Sequence, residues 1–132
     1  MNLNFFVRSF ITLINSLVNR LNIINGVYLS NFSQYSDIIL LDFNNVLIDI
    51  FSKSGPFSTL TNNLLSSDCL NIDQKLLISK KLLNISESAI TSSIKWNDFD
   101  MLSHNQIDVF QFQSINIMTQ LNSLNSVLIN FL

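Results

Sequence analysis

Apolar residues recur along this chain every three or four positions, and the longest such run closes it. Ile107, Phe110, Ser114, Ile117, Leu121, Leu124, Leu128 and Phe131 step by three and four, close to a heptad seam. The spacing predicts an amphipathic helix over 107–131, and Ser103 with Gln106 stands ahead of it in capping-box order. "DVFQFQ" (108–113) alternates like a strand, but the helical pattern around it is longer. Residues 3–24 carry a second stripe, Leu3, Phe6, Phe10, Leu13, Leu17 and Ile24, widened by Val7, Ile11, Ile14, Val18 and Leu21; it predicts another amphipathic helix. Between them, 36–51 is densely apolar, with Ser36 as cap and Asp37 in the first turn. Residues 58–67 suit a short helix. Residues 68–84 read as an ordinary helix, with Asp68 or Asp73 near its start and Lys80 and Lys81 near its end, matching the macrodipole. Residues 86–95 add two turns. Turn residues mark connectors at 25–36, at the Gly55-Pro56 break (52–57) and at 96–102. The expected fold is mainly α: one small domain over 1–132, a bundle of four to five helices with a long C-terminal amphipathic helix and a hinge at 52–57.

The polar side of the last helix changes that picture. After Asp108 the remaining 24 residues carry no charge, and eleven of them are Asn, Gln, Ser or Thr. That polar content argues against a membrane span, where unsatisfied groups are costly. Along the whole chain Asn and Ser occur 19 times each, while Ala and Glu occur once each. Helices of this composition depend on packed faces rather than on propensity. A helix face without charges is one that is rarely wet, so 107–131 reads as an association helix. Ile117, Leu121, Leu124, Leu128 and Phe131 are then its partner-binding residues, through helix-in-groove or coiled-coil contact. Trp96, beside the acids Asp98 and Asp100, is a candidate anchor for a partner.

Charge and chemistry narrow the function further. Residues 1–36 contain only Arg8 and Arg20 as charged groups, and the rest of the chain holds five Lys against nine acids. No basic face is clustered for nucleic acid. Cys69 is the only cysteine; it permits neither an intrachain disulfide nor a cysteine zinc site, and a small buried apolar role is expected. His104 is the only histidine, and Gly26 and Gly55 lie too far apart for a phosphate loop. Asp98 and Asp100 alone make weak cation ligands. The expectation is a non-enzyme without cofactor or metal.

The ending "NIMTQLNSLNSVLINFL" (116–132) resembles the terminal helices of exported, self-assembling bacterial proteins, with Leu and Ile on one side and Asn, Ser and Gln on the other. The acid-free, Ser- and Asn-rich start is similar to a type III secretion signal, although residues 3–24 read first as a core helix. In size, composition and termini the chain resembles the small accessory proteins (MxiL/OrgC-like) of virulence type III secretion systems. That resemblance implies a role in needle or rod assembly, or in the export of secreted invasins. It implies needle or rod subunits as partners, with self-association as a further option, peripheral membrane contact at most, and a location in the bacterial cytoplasm or outside after export. The alternative reading is a structural subunit of an organelle-encoded membrane respiratory complex, with residues 3–24 lying at the lipid interface.

Overall fold

The computed structural model describes residues 3–95 and 104–132. They form five α-helices: α1 (Leu3–Ile23), α2 (Phe32–Phe51), α3 (Pro56–Leu65), α4 (Ile72–Lys95) and α5 (His104–Ile129). There is no strand among the described residues. The fold is therefore the small all-α bundle that the periodicity predicts, and "DVFQFQ" is helical.

α1 buries Val7, Phe10, Ile14, Leu17 and Leu21 completely. The core line runs a little to one side of the expected stripe: Leu3 and Leu13 pack only partly, and Phe5 points to solvent. α1 is a core helix from Val7 to Leu21. α5 lies beside it in the opposite direction, since Asn15 pairs with Asn125 while Asn25 pairs with Ser114. α4 flanks α5 on the other side, joined by the Asn116 amide donating to Ser88 Oγ at 3.1 Å. α3 closes the base of α1, where Phe10 and Phe57 meet edge to face with centroids 5.0 Å apart.

The expected connector at 25–36 is instead nearly all helix. A π-helical turn, Ile24–Tyr28, and a 3₁₀ turn, Leu29–Asn31, carry the chain from α1 into α2. The extra residue of a π turn leaves backbone carbonyls poorly placed, and side chains take them up. The Asn25 amide donates to Leu21 O, Ser30 Oγ donates to Gly26 O and Val27 O, and the Asn31 amide donates to Val27 O. The same short polar residues that signal a loop thus keep this corner helical. α2 consequently starts at Phe32, and Ser36 lies within it rather than at its cap.

The Gly55-Pro56 break does separate two helices. Gly55 caps α3 and Pro56 fills its first position, where a missing N–H costs nothing. α4 starts later than expected, at Ile72, behind a reciprocal box: the Gln74 N–H donates to Asn71 Oδ1 and the Asn71 N–H to Gln74 Oε1, both at 2.9 Å. It then runs unbroken through 86–95. Cys69 corrects the expectation of burial. It sits exposed in the turn before α4, its N–H bonded to the buried Ser67 hydroxyl. Ser103, the expected cap of α5, lies outside the described residues.

Candidate functional site

The expected partner-binding seam lies in the interior. Ile117, Leu121, Leu124 and Leu128 are all fully buried, between α1 on one side and α4 on the other, and Phe131 packs partly against the same cluster. Trp96, Asp98 and Asp100 fall outside the described residues. In the folded chain a partner reaches the four seam residues only by displacing α1 or α4. The uncharged polar positions beside the seam are also used internally. Gln113, Ser114 and Asn125 are buried. The Asn25 amide donates to Ser114 Oγ at 2.8 Å and the Asn125 amide to Asn15 Oδ1 at 2.9 Å. A charge at these places would lose its hydration against α1, which gives the missing charges an intramolecular cause. Two buried carbonyl oxygens, Asn25 Oδ1 and Asn125 Oδ1, have no hydrogen-bond partner among the described residues.

What stays open to solvent is apolar on three helices. The outward line of α5 is Phe112, Ile115, Thr119, Asn122, Ser126 and Ile129, with Phe112 72% exposed. It keeps the absence of charge that marks the whole C-terminal stretch. α2 buries Ile39, Phe43, Val46, Leu47 and Ile50, and on the opposite face exposes Ile38, Leu41 and Ile48, the latter two at 61% and 60%. α4 turns Ile72, Leu76 and Leu83 outward. A surface helix ordinarily keeps one apolar stripe; α2 has two. Exposed apolar positions grouped in lines, rather than scattered singly, mark interaction surfaces.

Sequence periodicity picked the buried line of α5 and missed the exposed ones. The exposed lines also step by three, four and seven, but each is broken by polar residues: Asn45 in α2, Ser79 in α4, and Thr119, Asn122 and Ser126 in α5. The denser stripe on the same helix hid them.

Chemistry offers less. A cleft of about 430 Å³ opens between the end of α2, α3 and α4, walled by Ile50, Phe51, Phe57, Thr61 and Leu82, with Lys53 at its rim. Among the described residues no three of His, Cys, Asp and Glu are grouped to hold a metal. The ion pair between Arg20 and Asp49 ties α1 to α2, but both side chains are more than a third exposed, and such pairs contribute little. Among the described residues no helix is long and apolar enough to cross a membrane. No protein-family model, curated protein or solved structure matches this chain.

Proposed function

We propose that this chain is a non-enzymatic accessory protein of a type III secretion apparatus, working by helix–helix contact with needle or rod subunits during their assembly or export. The resemblance of its two termini to exported, self-assembling proteins supplies the apparatus. The outward line of α5 supplies the mechanism, and it is the observation that carries the reading. Phe112, Ile115 and Ile129 present apolar side chains to solvent beside Thr119, Asn122 and Ser126, with no charge after Asp108. Such a face fits another helix whose polar positions are also uncharged, because neither partner then has to desolvate a charge. The contact moves from the inner seam of α5 to its outer line, since the inner one is filled by α1 and α4. The work takes place in the bacterial cytoplasm or after export.

The rival reading, a respiratory subunit held at a membrane surface through residues 3–24, asks α1 to lay its apolar stripe on lipid. Val7, Phe10, Ile14, Leu17 and Leu21 are enclosed by the bundle, so that stripe is not free.

The test is capture of purified needle and rod subunits by wild type and by Phe112→Asp/Ile115→Asp. Both changes are at exposed positions, so the fold is expected to survive, as circular dichroism will report. Loss of capture by the variant supports the reading. Equal capture by the two proteins, or none by wild type, ends it.

A further inference from the structure

The corner between α1 and α2 holds the one Asn-Gly pair of the chain, Asn25-Gly26. The fold does not call for glycine there. Gly26 has no positive φ, and a Cβ built on it would meet no described atom within 4 Å. It lies inside the π turn Ile24–Tyr28, and glycine weakens a helix relative to alanine. Its distinctive effect is chemical. With no Cβ beside it, the Gly26 backbone nitrogen is the least hindered neighbour an asparagine side chain can have.

The folded corner withholds Asn25 from that neighbour in two ways. Side chains on a helix lean back towards its N-terminus. The Asn25 amide is fixed in that direction by donating to Leu21 O at 3.0 Å, one turn back, and to Ser114 Oγ on α5 at 2.8 Å. Gly26 N lies one residue forward, on the other side. Attack on Asn25 Cγ would also place negative charge on Asn25 Oδ1. That oxygen is buried and has no hydrogen-bond partner among the described residues, so the charge would form away from water and without a donor.

We infer that Asn25 is a site of spontaneous deamidation, kept closed by the packing of this corner on α5 and open only while the chain is unfolded or the corner is undone. In the open chain Gly26 N attacks Asn25 Cγ. The amide nitrogen of the side chain leaves as ammonia, taking the Gly26 N–H proton with it, and a cyclic imide closes. One water then opens the imide to aspartate or to isoaspartate; nothing is oxidised or reduced. The product does not fit the place it came from. A carboxylate cannot donate to Leu21 O, sets its charge against that carbonyl, and brings to the buried position of Oδ1 a group that needs water. Isoaspartate also lengthens the main chain by one atom inside the π turn. The modification is thus a one-way record of time spent unfolded.

Peptide mapping by mass spectrometry of the full chain, held at mildly alkaline pH, tests it. In guanidinium chloride, wild type is expected to convert Asn25 ahead of every other asparagine. Folded, it is expected to convert Asn25 at least about tenfold more slowly, since reaction then waits on opening of the corner. Ser114→Ala removes one of the two bonds on the Asn25 amide, so it is expected to speed conversion of the folded chain by about twofold to tenfold and to leave the rate in denaturant unchanged. Gly26→Ala, which has room for its methyl group, is expected to fold and to lose most of the conversion in denaturant. Asn25→Asp, which makes the aspartate product directly, is expected to lower the folding equilibrium constant at least about tenfold. Folded and unfolded wild type converting at the same rate overturns the inference. So does conversion in denaturant that spares Asn25, a folded Ser114→Ala chain that converts no faster than wild type, or an Asn25→Asp chain as stable as wild type.

Discussion

α5 and α2 are built from the same few residue types and end in opposite situations. Both are long, rich in Ile, Leu and Asn, and free of Lys and Arg. α5 sits between α1 and α4, so its seam and much of its polar flank are enclosed. α2 packs on one side only. The difference lies in what lines the second side. On α5 the flanks carry Ser114, Asn116 and Asn125, whose hydrogen bonds reach Asn25, Ser88 and Asn15 on the neighbouring helices. On α2 the second side carries Ile38, Leu41 and Ile48, which are exposed to solvent. A polar flank can be a sign of burial and an apolar one a sign of exposure, because which side of a helix is covered is set by its fit with its neighbours.

The hardest test of this contrast is a charge on the α5 seam. Leu124 is fully buried, and an aspartate there would be an unpaired charge in the core. Leu124→Asp is expected to cost about 3–5 kcal/mol or more, a large share of the roughly 5–15 kcal/mol stability of a typical domain, and so to lower the melting transition steeply or abolish it. Circular dichroism during thermal melting reads it. A variant that melts as wild type does would place the seam at a surface and return it to the list of docking faces.

A second experiment compares the two faces of α2 directly. Phe43→Ala empties a fully buried site and is expected to cost about 3–5 kcal/mol. Leu41→Ala, two residues away on the open face, is expected to change stability by less than about 0.5 kcal/mol in a monomeric sample. Urea unfolding of both variants gives the ratio. Similar losses would mean that something already covers Leu41.

The helices were legible in the sequence because burial in a bundle imposes a 3.6-residue rhythm, and α1, α4 and α5 keep it over many turns. The corner at 24–31 was not. Asn25, Gly26, Ser30 and Asn31 are turn formers by local preference; here the side chains of Asn25, Ser30 and Asn31 bond carbonyls one turn back, and Asn25 is also tied to Ser114, 89 positions away. The start of α4 was readable in principle: Asn71 and Gln74 have the spacing of a capping box, with Asn in place of the usual hydroxyl. The inner seam of α5 reads as a partner-binding surface and is instead filled by helices of the same chain, because periodicity does not say whether the neighbour belongs to another protein. Charge absence did not separate the two faces of α5, since its outer line is as free of charge as the buried seam and yet exposed. The outer lines were obscured by their polar gaps, since two or three apolar residues over ten positions do not stand out in a chain in which nearly half the residues are hydrophobic.

The smallest effect concerns the polar flank of α5 and runs against the usual sign. Asn125 is buried, its amide donates to Asn15, and its carbonyl oxygen has no partner among the described residues. A buried acceptor left unmade costs about 1–3 kcal/mol, whereas a typical hydrogen bond contributes about 0.5–1.5 kcal/mol net. Asn15 is exposed, so water replaces the bond it would lose. Asn125→Leu has a side chain of similar volume that removes the orphaned oxygen and adds apolar contact beside Leu121 and Leu128 on the same helix. It is therefore expected to stabilise the bundle by about 1 kcal/mol, read as a higher urea midpoint at unchanged slope. The gain would show that the Asn pair is kept for something other than stability, such as fixing how α1 and α5 align, a role known for buried polar groups in helix pairs. A loss of more than about 1 kcal/mol would instead mean that the carbonyl is satisfied in solution by a bound water, and that the flank is wetter than its burial suggests.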